Sequence, residues 1–190
     1  MTSYNAGEFK KGLKVIVDNE PYLMVETEFV KPGKGQALYR IKLKNLLRGN
    51  IVDRTFRSGD KLDEADVHID IMQYLYNDSK NWMFMHQETY EQVSVPLEVI
   101  GDARFWIKEE SDVDVTFYGD KAIAVTPPNH VELKVVYCEP AVRGNTATNV
   151  QKPVKLESGA EVTVPLFINQ GDIIKIDTRT HEYIERVSQS

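Results

Sequence analysis

A lysine set between two glycines is the first place in this sequence where chemistry could be done. Lys31-Pro32-Gly33-Lys34-Gly35-Gln36 puts one ammonium where neither neighbour carries a side chain. Pro32 fixes its own φ and biases Lys31 toward extended backbone. Gly33 and Gly35 permit positive φ and leave space around Lys34. The product is a lone cation at a turn, suited to phosphate oxygens. It is not a P-loop, because Gly-Lys must be followed by Ser or Thr and Gly35 stands there. It is not a dinucleotide fingerprint either: position 38 is Leu and no helix follows. A lysine nucleophile would need a desolvating pocket, which a glycine-flanked tip does not offer. The plain alternative is a solvated hairpin turn. Against it stands the run from residue 31 to 52, which holds Lys31, Lys34, Arg40, Lys42, Lys44 and Arg48 and no acidic residue. Such a run is an electrostatic footprint for phosphate backbones.

Other residues of reactive type lack partners in the sequence. His68, His86, His130 and His181 are scattered without metal-ligand spacing, and surface or sheet-face positions are expected for them. Cys138 falls on an alternating strand and reads as a small buried apolar residue. Glu109-Glu110 and Asp112 with Asp114 read as a solvated acidic rim. No Gly-x-Ser-x-Gly elbow occurs. Trp82, Met83, Phe84 and Met85 could stack bases, but core packing is the reading for a small barrel. No catalytic residue, metal or cofactor is expected.

The elements that must position Lys34 are strands. Apolar and polar residues alternate with period two, broken by turn residues every eight to twelve positions, the pattern of small barrels. Residues 13–17, 22–30, 37–46 and 51–56 read as the strands of a first unit, with Lys34 on the hairpin between the two longest. Ala37, Tyr39, Ile41 and Leu43 share one face of the third strand, and Arg40, Lys42 and Lys44 the other. Strands at 67–76, 81–86, 113–118 and 122–125 form a second unit. Its one helix is expected over 96–107, with Pro96 in the first turn and Leu97, Ile100 and Arg104 at helical spacing. Thr126-Pro127-Pro128-Asn129 is a stiff breaker. Strands at 131–137, 154–156, 162–167, 173–177 and 182–187 form the last unit, and 140–153 is a long polar loop of functional character. The expected fold is all-β: three consecutive small β-barrels, SH3-like over 1–64, then OB-folds over 65–127 and 128–190.

The totals fit this division. The chain has 190 residues and a net charge of −6, which weighs lightly against a nucleic-acid binder. The acidity is uneven. The first unit nets +3, the second −8 and the third −1. No apolar run reaches the roughly 20 residues a membrane helix needs. No secretory h-region opens the chain, and one cysteine cannot form an internal disulfide, which fits a cytoplasmic location. Nothing indicates oligomerisation, so a monomer is expected.

Several motifs in a fixed order carry a resemblance. They are Glu28-Phe29-Val30-Lys31-Pro32-Gly33-Lys34-Gly35-Gln36-Ala37, Tyr74-Leu75-Tyr76-Asn77-Asp78, Val125-Thr126-Pro127-Pro128-Asn129, Val164-Pro165-Leu166-Phe167, and Asp177-Thr178-Arg179-Thr180 followed by Glu182-Tyr183. Over its whole length the chain resembles the elongation factor P family. The resemblance implies an SH3-like domain and two OB-like domains in an L that mimics tRNA. It implies binding to the ribosome between the P and E sites, beside peptidyl-tRNA, and relief of stalling at polyproline stretches. It implies that lysine-modifying enzymes extend Lys34 by β-lysylation, with hydroxylation in some members, and that Lys31, Pro32, Gly33, Gly35, Gln36, Arg40, Lys42 and Lys44 lie along the tRNA- and ribosome-binding arm. Tyr183 and Arg186 match tRNA-contacting positions. Arg143, Asn145 and Thr146 match a third-domain loop near the small subunit. That loop often reads Gly-Asp-Thr in the family, whereas this chain has Gly144-Asn145-Thr146, so contacts carried by the acidic residue are not expected here. The competing reading is a general RNA-binding barrel protein without ribosomal rescue activity.

Overall fold

Alternation in the sequence becomes strand alternation throughout the computed structural model, which describes residues 2–139 and 150–189. The chain forms two compact units, Met1–Ile69 with Thr116–Ile123, and Asp70–Val115 with Ala124–Ser190. The expected site residues Arg143, Asn145 and Thr146 lie outside the described residues.

Four antiparallel strands carry the basic run. They are β2 (Lys14–Val17), β3 (Glu20–Val30), β4 (Leu38–Asn45) and β5 (Ile51–Arg57), hydrogen-bonded in that order. A small pair, β1 (Ser3–Asn5) with β6 (Lys61–Asp63), accompanies them. Asp18 and Asn19, both at positive φ, make the tight turn between β2 and β3, the residue types that a primed hairpin turn selects. Val15, Met24, Ile41 and Leu43 are fully buried, with Ala6, Phe9 and Tyr22 around them. Phe9 meets Phe56 edge-on at 5.4 Å between ring centroids. At the base of β4, buried Asn45 donates to Glu20 at 2.7 Å and accepts from the backbone N–H groups of Leu47 and Arg48. This ties the turn after β4 to the root of β3, so both strands of the hairpin are anchored in the barrel.

The next sheet runs β11-β10-β7-β8-β9, with β7 at Val67–Asn77, β8 at Asn81–His86, β9 at Gln92–Pro96, β10 at Asp112–Tyr118 and β11 at Lys121–Thr126. On β8, Trp82 and Phe84 are buried and Met83 and Met85 half-buried, so this run packs the core. The last sheet runs β14-β13-β12-β15-β16, with β12 at His130–Cys138, β13 at Gln151–Leu156, β14 at Glu161–Pro165, β15 at Ile173–Asp177 and β16 at Glu182–Ser188. Val131, Leu133, Val135, Val164, Ile174 and Ile176 fill its core, and Cys138 packs against it half-buried.

The helix expected over 96–107 is not formed as one piece. Helix α1 spans only Leu97–Ile100, Pro96 is its cap rather than its first turn, and a 3-10 segment follows at Gly101–Phe105. Gly101 has φ +51, a left-handed value that ends an α-helix. The break has a packing reason. It turns Phe105 and Trp106 into the core of the last sheet, where Trp106 is buried and stacks on His181 with centroids 4.4 Å apart.

Candidate functional site

The hairpin between β3 and β4 is built as an arm. Its ladder runs from Tyr22 opposite Asn45 to Val30 opposite Leu38. Burial stops well short of the tip: Met24 and Leu43 are in the core, whereas Glu26, Thr27, Glu28 and Phe29 are all exposed. A register irregularity between Met24 and Glu26 marks where β3 passes from core to solvent, while Ile41 opposite Thr27 is still buried, as bulges do where a strand bends. Residues 31–37 close the arm beyond the last ladder pair.

Every residue from Lys31 to Gln36 is exposed. Lys34 makes no hydrogen bond or ion pair with any described residue. Gln36 donates to the carbonyl of Ser58 at 3.4 Å, and Ser58 N–H donates to the carbonyl of Ala37 at 3.2 Å. These bonds tether the C-terminal side of the tip and leave its apex unattached. The two glycines differ. Gly35 has φ +133, and a Cβ there would sit 3.6 Å from Pro32 Cγ. Gly33 has no such φ, and a Cβ built on it meets nothing within 4 Å. Both glycines permit positive φ, and Gly35 alone uses it. Within the folded chain, Gly33 has no steric reason to be glycine.

The cations below the tip have company that the basic run does not show. Arg40 lies opposite Glu28 and pairs with it at 3.9 Å. Lys42 pairs with Glu26 at 2.7 Å and lies opposite Asp53 on its other side. The ammonium of Lys42 is held above its ordinary pKa, first by its hydrogen bond to Glu26 and then by the charge of that carboxylate. Lys44 lies between Leu23 and Ile51, without an acid directly across either strand. One face of the arm is thus a ladder of alternating charge rather than a bare basic stripe. The acids sit on the neighbouring strands, outside the acid-free window, so a linear count misses them. Antiparallel pairing of 20–30 with 38–45 was the signal that could have found them.

The opposite face is aromatic. Phe29 and Tyr39 are directly paired, with centroids 5.1 Å apart and planes tilted by 51°. Tyr39 is half-buried against the barrel core, while Phe29 is 58% exposed.

Tyr183 and Arg186 sit on β16, in the other unit. Tyr183 packs half-buried against the barrel core, and that burial raises its pKa. Arg186 pairs at 3.5 Å with Asp172, which is only 2% exposed, and its guanidinium lies 5.1 Å from the centre of the Phe167 ring. Asp172 also accepts from the backbone N–H of Asn169 at 2.9 Å. Arg186 is thus part of the barrel's own framework, whatever else it touches. In the same barrel, Arg179 donates to both oxygens of Asp177, at 3.2 and 2.9 Å, and these bonds hold that carboxyl far below the usual range.

A cavity of about 650 Å³ is lined by Tyr74, Trp82, Leu97, Arg104, Phe105 and Leu133 among others. Two of its polar side chains are engaged within the fold. Asn77 donates to the Tyr74 hydroxyl at 2.7 Å, and Arg104 donates to the Gly101 carbonyl at 2.6 Å while lying over Phe105. Among the described residues, no three His, Cys, Asp or Glu side chains come together as metal ligands, and no helix is long and apolar enough to cross a membrane.

Three family models match the chain in succession: the elongation factor P KOW-like domain over residues 5–62, the elongation factor P OB domain over 70–125, and the elongation factor P C-terminal domain over 131–186. An elongation factor P from Rhodopirellula baltica is 50% identical across 99% of this chain and 96% of its own length. Among solved structures, an initiation factor 5A from Methanococcus jannaschii superposes with a TM-score of 0.54 at 21% identity, covering 66% of this chain and 94% of its own. A relative of that factor from Naegleria fowleri gives a TM-score of 0.54 at 19% identity, over 66% of this chain and 97% of its own. At such identities these two show the fold alone. The all-β, SH3-like and OB-like architecture expected from the strand spacing stands.

Proposed function

The chain belongs to the elongation factor P family of translation factors, and on that premise we propose that it binds the ribosome beside peptidyl-tRNA and speeds peptide-bond formation at polyproline stretches through Lys34. The observation that carries this reading is the tip. Lys34 stands at the apex of an anchored arm, between two glycines, with no partner among the described residues. A cation without a structural task inside the fold is free to serve a partner outside it.

Proline runs react slowly because the nucleophile is a secondary amine and the ring restricts the approach. The factor's contribution is positional. The arm holds the acceptor end of the peptidyl-tRNA and favours a near-attack arrangement. In this reading the chain is not itself a catalyst: the tip positions the reacting ends and supplies no acid, base or nucleophile to them. Lysine-modifying enzymes extend Lys34 with a β-lysyl group, which lengthens its reach and adds donors. Lys31, Arg40, Lys42 and Lys44 meet RNA phosphates. For Arg40 and Lys42 this means exchanging, or sharing, their carboxylate partners. Tyr183, Arg186 and the loop bearing Arg143, Asn145 and Thr146 make further contacts with RNA. The factor works as a monomer in the cytoplasm, with functional divisions at 1–64, 65–127 and 128–190.

The test is reconstituted translation of a template encoding consecutive prolines, with and without the purified protein, beside a template lacking them. Relief confined to the proline template is expected. Equal yields with and without the factor would refute the reading. Tight binding to isolated single-stranded RNA together with no effect on translation would favour the general RNA-binding alternative. Mass spectrometry of the Lys34 peptide from the native source tests the modification, and an unaltered lysine would exclude it.

A further inference from the structure

We infer that Phe29, with Tyr39 behind it, is a stacking platform for an unpaired nucleotide of the RNA that the arm enters. This rests on the ribosomal reading above and adds a second contact, of different chemistry, to that of Lys34.

Phe29 is the one aromatic ring on the exposed stretch of the arm between the barrel and the tip. It lies one ladder pair below the end of the hairpin, and two residues before Lys31. Its exposure is what needs explaining. A phenylalanine 58% exposed on a protruding hairpin gains little from the fold. Cross-strand pairing with Tyr39 accounts for part of its placement, but an aliphatic side chain would fit that role as well. The pairing does fix the ring. Tyr39 is half-buried and closes off one side of Phe29, leaving the rest of the ring to solvent.

The surroundings select the occupant. The two faces of the arm differ in kind: Glu26, Glu28, Arg40 and Lys42 occupy one, and the aromatic pair the other. A base is a flat apolar surface joined to a phosphate. The aromatic face supplies a surface for the first, and exposed Lys31 and Lys34, just beyond it, supply cations for the second. Stacking on aromatic side chains with a basic groove alongside is the general way in which proteins hold single-stranded nucleic acid. A protein partner docking on Phe29 would meet the same cations, but would need acidic groups placed to match them. An unpaired nucleotide carries both features on every residue.

The experiment measures affinity of Phe29→Leu, Phe29→Ile and Phe29→Trp proteins for ribosomes carrying peptidyl-tRNA stalled at proline codons. Mass spectrometry of the Lys34 peptide accompanies each. Stacking predicts that Trp binds at least as well as Phe, and that Leu and Ile both bind about five- to a hundredfold more weakly, the range found when a base loses an aromatic partner. A merely structural pairing would be satisfied by Ile, which suits a strand, so wild-type affinity for Phe29→Ile overturns the proposal. Wild-type affinity with loss of Lys34 modification also overturns it, and assigns Phe29 to docking a modifying protein. If the wild-type protein itself does not bind these ribosomes, the ribosomal reading falls and this one with it. Ribosome binding by the wild-type protein with equal affinity for all three variants removes only the stacking.

Discussion

Replacing Gly33 and Gly35 separately by alanine divides what the fold requires of the tip from what a partner requires. At Gly35 the backbone lies at φ +133, where a side chain is strained. The new Cβ meets only Pro32 Cγ, at an ordinary 3.6 Å, so the cost comes from the backbone. Holding a non-glycine residue in such a conformation costs about 1–3 kcal/mol. The tip buries nothing, so the loop can escape part of this strain by changing shape. Gly35→Ala is therefore expected to alter the tip and lower activity, with a loss of stability no larger than that range. At Gly33 neither term exists: φ is ordinary and no atom lies within 4 Å of the new methyl. Its stability should stay within about 0.5 kcal/mol of wild type, as for a surface site without special features. A stable Gly33→Ala protein should nonetheless stimulate proline-template translation less, because under the proposed function a methyl beside Lys34 widens a tip that enters an RNA channel. The assay pairs thermal unfolding with reconstituted translation. Unchanged stability with full activity for Gly33→Ala would refute the claim that the tip is closely gripped. A marked loss of stability for that variant would refute the account of its backbone.

Three further outcomes follow from the contacts. Glu26→Gln and Glu28→Gln together should free Lys42 and Arg40 from their carboxylates and tighten ribosome binding with a steeper salt dependence; unchanged affinity would show that these cations do not meet phosphates. Arg186→Ala should lower the unfolding temperature of the isolated protein, because it removes the cation beside buried Asp172; an unchanged temperature would show that Arg186 has no part in the barrel's framework. Asp177→Asn should be less stable than wild type near neutral pH. The native carboxyl is depressed by Arg179, so its contribution is present above the unfolded carboxylate range near pH 4 and is lost as pH falls through the lower native value. The gap between the two proteins should narrow on acidification in pH-dependent unfolding, and a gap constant from pH 7 to 2 would contradict the assignment.

Much of the arm was legible in the sequence. The alternation of Tyr39, Ile41 and Leu43 with Arg40, Lys42 and Lys44 placed one set toward the core and the other in solvent, and the structure agrees. Pro-Gly-Lys-Gly between two long apolar alternations placed Lys34 at a hairpin tip for reasons of local backbone chemistry. What sequence could not supply was the partner across the sheet. Glu26 and Glu28 lie more than ten residues from the cations they meet, and only register joins them. The helix over 96–107 failed for a similar reason. Its spacing of Leu97, Ile100 and Arg104 was real, but Gly101 breaks it so that Trp106 can fill the core of another barrel, a tertiary demand that local periodicity does not encode. The short strands β1, β6 and β9 were not read from the sequence.

Whether Lys34 carries the function is read in the single-turnover rate of Pro–Pro bond formation at saturating factor, comparing wild type with Lys34→Ala. Lys34→Ala is expected to fold, occupy the ribosome and leave the rate at its value without factor, whereas wild type raises it. A Lys34→Ala protein that accelerates the reaction as well as wild type would contradict the claim that Lys34 carries the function.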